Sequence, residues 1–300
     1  MKWKKLGRIF DPEICGRPGY THGANPFPVQ IADDLIRIYY NCRDINNRSN
    51  ITYLDYNMND RNIVYIHDEF LLTPGQPGLF DDSGCSLGCV LNMPTGEKYI
   101  YYLGWNICTS VPWMNYIGLA ILDTSGHCKK YGNVPILERS PVDYLSCSYP
   151  YVMFDKGKYR MWYGSNLAWG PKESDMRHVI KYAESTDGIH WTRDGTVCIQ
   201  GKNHAEYAFS KPSVWKEGNL YKMCYSFRGQ AYRIGYAESP DGLIWKRLDE
   251  QAGITVSGQG WDCEMLDYPA VFDYKGEKYM VYCGNSYGKT GFGLAVMTEP

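Results

Sequence analysis

Lys158-Tyr-Arg-Met-Trp-Tyr163 is one of five related stretches, and their recurrence decides the fold. The others are Leu35-Ile-Arg-Ile-Tyr-Tyr40, Lys98-Tyr-Ile-Tyr-Tyr-Leu103, Leu220-Tyr-Lys-Met-Cys-Tyr225 and Lys278-Tyr-Met-Val-Tyr282. They follow one another at intervals of about 60 residues, a period that marks a repeat architecture. A first strand and a glycine turn precede each, as in Tyr149-Pro-Tyr-Val-Met-Phe-Asp-Lys-Gly157, Lys211-Pro-Ser-Val-Trp-Lys-Glu-Gly218 and Tyr268-Pro-Ala-Val-Phe-Asp-Tyr-Lys-Gly276. A third strand follows, as in Ile51-Thr-Tyr-Leu-Asp55, Gly118-Leu-Ala-Ile-Leu122, Ile180-Lys-Tyr-Ala-Glu184, Ile234-Gly-Tyr-Ala-Glu238 and Phe292-Gly-Leu-Ala-Val296. Ser185-Thr-Asp-Gly-Ile-His-Trp191 and Ser239-Pro-Asp-Gly-Leu-Ile-Trp245 then make Asp-Gly turns into a fourth strand that opens with Trp.

Four strands per unit is the size of a propeller blade, so the pattern predicts an all-β, five-bladed β-propeller occupying residues 1–300 as one domain. The fifth unit lacks its own fourth strand, which would leave an unpaired edge. Trp3-Lys4-Lys5 parallels Trp191-Thr192-Arg193 and Trp245-Lys246-Arg247, so the N-terminal strand is expected to supply the missing one and close the ring.

The composition agrees. Apolar residues make up 44% and charged ones 21%, and the 27 tyrosines, with nine Trp and nine Phe, favour half-buried strands over helices. A formal net charge of −2 without a long basic run argues against nucleic acid as a partner. No apolar stretch has the length of a signal peptide's core or of a membrane span, so a cytoplasmic protein is expected. Eleven scattered cysteines read as reduced thiols, and no spacing specifies a metal or a cofactor.

In a propeller the loops leading into the first strands meet around a central pocket. Here those loops carry His22 and Asn25, Asp81 and Asp82, Asp143, Glu206, and Asp262 with Glu264. Paired carboxylates are what glycosidic chemistry needs, one protonated to assist the leaving oxygen and one ionised. Asp82, Glu206 and Glu264 are the leading catalytic candidates. Asp81, Asp143 and Asp262 are candidate substrate ligands, although an Asp there equally suits a turn cap. Arg43 and Arg228, after the second strands of units one and four, would fork onto carboxylate or phosphate groups. Trp105 and Asn106 after unit two, and Asn285 after unit five, complete the candidate binding set.

With its five units, its Ser-x-Asp-Gly-x-x-Trp turns at 185–191 and 239–245 and its acidic leading loops, the chain resembles the five-bladed propeller glycosidases. These are glycoside hydrolase families 43, 32, 68 and 130. Phe80-Asp-Asp-Ser-Gly84, Tyr102-Leu-Gly-Trp-Asn106, Gly260-Trp-Asp-Cys-Glu-Met265 and Gly288-Lys-Thr-Gly-Phe-Gly293 also make it similar to glycosidase-like proteins of bacterial surface-polysaccharide assembly. The hydrolytic families take two Asp and a Glu from blades one, two and three. That pattern transfers only to Asp81 or Asp82, since blade one offers His22 and Asn25 and blade three has Asp143 without a nearby Glu.

The resemblance implies a glycosidase-like or phosphorylase-like enzyme acting on a sugar, including phosphorylated or otherwise anionic ones. A glycosyltransferase or sugar-modifying enzyme, and a sugar-binding propeller without catalysis, are the alternatives.

Overall fold

The computed structural model describes residues 1–299, and they are nearly all β. Strand β1 is Lys2–Phe10. A first group contains β2 (Thr21–Gln30), β3 (Leu35–Arg43), β4 (Ser49–Asn57) and β5 (Asn62–Ile66). A second contains β6 (Gly84–Asn92), β7 (Lys98–Ile107), β8 (Trp113–Leu122) and β9 (Cys128–Lys130). A third contains β10 (Cys147–Asp155), β11 (Lys158–Ala168), β12 (Arg177–Ser185) and β13 (Val197–Ile199). A fourth contains β14 (Ala208–Glu217), β15 (Leu220–Arg228), β16 (Tyr232–Ser239) and β17 (Lys246–Arg247). The last contains β18 (Asp267–Tyr274), β19 (Glu277–Cys283) and β20 (Phe292–Glu299), and β1 pairs antiparallel with β20 as its fourth strand.

Within each group the strands pair antiparallel in chain order, apart from β1. The first two groups are joined by one parallel bridge, Ser49 to Gly84, and so count as one eight-stranded sheet. Apart from β1 the outer strands are short, and in the third group Trp191 lies in the turn ahead of β13 instead of opening it, with Thr192 making a single bridge to Glu184.

Contacts run from each group to the next. Asn41 bonds the carbonyl of Cys85 and the amide of Leu87, at 3.1 and 2.8 Å. Tyr101 donates to the carbonyl of Gly188, and Trp162 to that of Gly242. The Asp-Gly turns therefore staple neighbouring groups, and a buried aromatic N–H or O–H finds its partner there. Ser226 accepts from the amide of Tyr268, and Tyr274 of the last group donates to Asp34 of the first at 2.6 Å. The core lies between the sheets and is rich in tyrosine, with Tyr39, Tyr101, Tyr102, Tyr163, Tyr221, Tyr225, Tyr236 and Tyr282 fully enclosed.

The first strand of every group is interrupted at the same place. Pairing slips between Ala24 and Phe27, Leu87 and Cys89, Ser148 and Tyr151, Ser210 and Ser213, and Asp267 and Ala270. In four of them the residue before a proline, Asn25, Tyr149, Lys211 or Tyr268, takes a φ of 43–52°. Such bulges re-aim a side chain, and a non-glycine residue in this region carries strain typical of functional positions. Lys211 thereby reaches the carbonyls of Leu87 and Gly88, two groups away, and the hydroxyl of Tyr149 lies 3.4 Å from that of Tyr268.

Candidate active site

The antiparallel order puts the start of each first strand, the end of each second and the start of each third on one side, called here the loop side. Three of the acidic candidates on it are buried within the sheets. Asp81 accepts from Tyr102 at 3.0 Å and pairs with Lys130 at 2.6 Å. Asp143 accepts from Tyr163 at 2.8 Å and pairs with Lys181 and with Arg193, the latter at 2.7 Å. Asp262 accepts from Tyr282 at 3.2 Å and pairs with Lys5 at 2.6 Å. Asp249 repeats the arrangement with Tyr225 and Arg247. One tyrosine, one aspartate and one base thus recur in four of the groups, holding the outer strand to the second strand. Asp81, Asp143 and Asp262, expected as substrate ligands, each take part in such a buried network, and the Oδ1 of Asp81 has no hydrogen-bond partner.

Glu206 is likewise engaged, pairing with Arg247 at 2.7 Å and accepting from the amide of Lys202. Desolvation of the partly buried carboxyl would raise its pKa, but these contacts together hold it below the usual range. Asp82 accepts from the amide of Gly78, the hydroxyl of Ser83 and the amide group of Asn106, at 2.8–2.9 Å. Desolvation opposes its charge, and these bonds outweigh it and lower its pKa, so it is ionised. Asn106 also donates to the carbonyl of Leu79, and Trp105 donates to Ser49 beneath Gly84. Glu264 is exposed, and Asn285 accepts from its backbone amide. Asn285 also pins Gly260 and Met265, which makes it a buried brace for this loop. Asp82, Glu206 and Glu264 lie on three different loops of the loop side, each with its own hydrogen-bond partners.

The unusual carboxyl is Asp267, at the first position of β18. It is fully buried, and neither oxygen has a hydrogen-bond partner. Burial pushes its pKa well above the carboxylate range, against the opposing pull of the Arg228 charge. Tyr149, Tyr232, Tyr268 and Cys283 all lie close enough to feel its charge. The Tyr149 and Tyr268 rings are 5.4 Å apart, and Tyr232 follows at 6.5 Å from Tyr268. Arg228 sits 5.5–5.7 Å from the rings of Tyr207, Tyr232 and Tyr287 and donates to the Tyr287 hydroxyl. Tyr287 is held over it by a tight turn in which Ser286 and Tyr287 both have positive φ.

On the other flank the Arg43 guanidinium donates to Asn47 at 3.0 Å, its charge acts on Tyr149, and Arg43 and Lys289 raise the positive potential around His22. Desolvation first, then those two charges, lower the His22 pKa to about 4, so its imidazole is neutral at physiological pH. Its Nδ1 is 2.8 Å from the Thr21 hydroxyl. Asn25 is buried with an unpartnered carbonyl oxygen. The structure thus brings His22, Asn25, Arg43 and Arg228 of the expected set onto one side with Asp267, Tyr149 and Tyr268, which sequence reasoning missed. The signal that could have found the two tyrosines is the repeated X-Pro pair in the first strands.

This all-β architecture is that of the propeller glycoside hydrolases. Similar solved structures are a glycoside hydrolase (TM-score 0.74, 17% identity, 99% of this chain and 91% of that one) and a thermostable family-43 glycoside hydrolase (TM-score 0.70, 18% identity, 92% and 88%). A protein described among GH130 mannoside phosphorylases and glycoside hydrolases that target β-1,2 mannosidic linkages is similar as well (TM-score 0.69, 16% identity, 92% and 84%). The chain belongs to the same family as the uncharacterized protein Rv1502 of Mycobacterium tuberculosis (strain ATCC 25618 / H37Rv), with which it is 42% identical over 300 residues, 99% of each chain. The counterpart in strain CDC 1551 / Oshkosh matches to the same extent. No protein-family model matches.

Proposed function

We propose that this chain is a glycosidase-like or phosphorylase-like enzyme, a five-bladed ring closed by β1, whose reaction centre lies on the loop side around Asp267. The ring is supported by the contacts that run from each group to the next and from the last to the first, and by β1 completing the final sheet. The observation that carries the function is the Asp267 carboxyl, enclosed, unpartnered and shifted toward its protonated form. A carboxyl held toward its protonated form is what a glycosidic leaving oxygen requires. Asp82, held ionised, and Glu264, on the exposed rim, are the candidates for the second carboxylate. His22, Arg43, Lys289 and Arg228 give the mouth a polar, largely cationic lining, which suits a sugar bearing an anionic group or a phosphate co-substrate.

The test is turnover of a panel of glycosides and sugar phosphates, with and without inorganic phosphate. Asp267→Asn should abolish release of sugar while the protein stays folded, and full activity in that variant would refute the assignment. A sugar-binding propeller without catalysis is the second reading, favoured by the engagement of Asp81, Asp143 and Glu206 in structural pairs. Binding without turnover on every substrate would establish it.

A further inference from the structure

A second cluster on the loop side lies at the junction of the second, third and fourth groups. Asn166, near the end of β11, and His178, near the start of β12, are directly opposed in register, so their side chains share a face. Asn166 is 3% exposed, and neither its amide nitrogen nor its oxygen has a partner. The Nε2 of His178 and the indole N–H of Trp169 are also sealed and unpartnered. Trp169 lies 6.4 Å from the His178 ring and meets Trp113 edge-to-face at 5.3 Å and 88°.

Buried amides and indoles normally find partners, and an Asn left with none of its bonds is costly. Here four such atoms gather beside two tryptophans. The local charges do not answer them: burial lowers the His178 pKa to about 4, so it is neutral, and neighbouring Arg177 gives its guanidinium to the carbonyls of Ser174 and Met176. A group with paired donors and acceptors on an apolar ring would satisfy all of them, since a hydroxyl both gives and accepts. The backbone amide of His178 bonds the carbonyl of Tyr207 at 2.8 Å, and the Tyr207 ring lies under Arg228. The corner is therefore contiguous with the reaction centre.

We propose that Trp113, Asn166, Trp169 and His178 form a second sugar subsite, which takes an uncharged hexopyranose ring of a substrate that extends beyond the ring at Asp267. The proposal rests on the reading of the loop side as a carbohydrate site and names its substrate as an oligosaccharide or glycoside of at least two rings. Asn166 would bridge adjacent hydroxyls, and one of the two indoles, which stand at 88° to each other, would pack on the C–H face of the sugar.

The probes are methyl β-glucopyranoside, methyl β-galactopyranoside and methyl β-mannopyranoside, titrated into the full-length protein and followed by tryptophan fluorescence. At least one should bind with Kd of about 1 mM, the strength expected for so small a ligand. Trp169→Ala and Asn166→Ala should each weaken it at least about fivefold, the loss of one good polar or packing contact. Trp169→Phe, which keeps an aromatic ring but loses the pyrrole portion with its N–H, guards against a fold defect and should show a smaller loss. Because binding is read by fluorescence without turnover, absence of catalysis on every substrate leaves this result intact and separately readable. The inference is overturned if none of the three binds, if binding ignores Trp169 and Asn166, or if a soaked crystal shows only ordered water against Asn166.

Discussion

The ammonium of Lys5 lies 2.6 Å from the carboxylate of Asp262, across 257 residues of chain. Lys5 stands two residues after Trp3, as Arg193 does after Trp191 and Arg247 after Trp245, and all three bases hold an aspartate that also accepts from a second-strand tyrosine. The first strand of the chain is therefore the chemical equivalent of the outer strand of the other groups.

Removing that base strands a buried carboxylate. Lys5→Met should destabilise the protein by about 3 kcal/mol, the usual cost of breaking a buried pair from one side, and Lys5→Met with Asp262→Asn should recover part of the loss. Chemical denaturation of the single and double variants measures both. A native midpoint in Lys5→Met would show that the pair does not hold the seam.

Asp267 should behave in the opposite sense. Because its folded pKa lies above its unfolded one, folding takes up a proton over the interval between them. Its contribution is present in full below about pH 4 and is lost as pH rises toward the folded value, with a slope of about 1.4 kcal/mol per pH unit for one proton. Asp267→Asn should flatten this dependence and be as stable as the native protein, or more so, at neutral pH, while losing turnover. Stability measured against pH in the two proteins decides it.

Much of this was legible in the sequence, and the reason is local. The Trp-x-base pattern, the Asp-Gly turns and the aromatic second strands each act through neighbours along the chain or across one hairpin, so their repetition shows which strands are equivalent. Asp267 was not legible. Nothing in Met-Leu-Asp267-Tyr distinguishes it from Asp262 five residues earlier, and only enclosure without a hydrogen-bond partner shifts one toward its protonated form and leaves the other an ion-pair partner. Likewise nothing in Asn-His-Ala-Glu206 specifies that its partner is Arg247, 41 residues further on.

That distinction can be tested at Glu206. Glu206→Gln should leave turnover within about twofold and cost roughly 1–2 kcal/mol of stability, as one contact of Arg247 is weakened, whereas Asp82→Asn should reduce turnover by at least about a hundredfold if it serves as the ionised partner. Comparing kcat with the denaturation midpoint of each variant separates the two roles.

His22 reports on the cationic flank. Arg43→Met and Lys289→Met should each raise its pKa from about 4, Arg43 by more, because each removes a positive charge that opposes protonation. Inorganic phosphate bound there should raise it as well. NMR titration of the imidazole reads all three.

Gly88→Ala should be severe. A Cβ at that position would lie 2.6 Å from a ring carbon of Pro150 and 2.7 Å from its carbonyl oxygen. Overpacking of this kind costs about 1–3 kcal/mol, and thermal unfolding should register it.

The bulged inner strands have one more effect. Lys211 donates to the carbonyls of Leu87 and Gly88, and Tyr149 meets Tyr268, so side chains from facing strands stop up the space between them. In the proposed ring such a floor would leave a well open only on the loop side, and a product formed there would have to leave by the way the substrate came in.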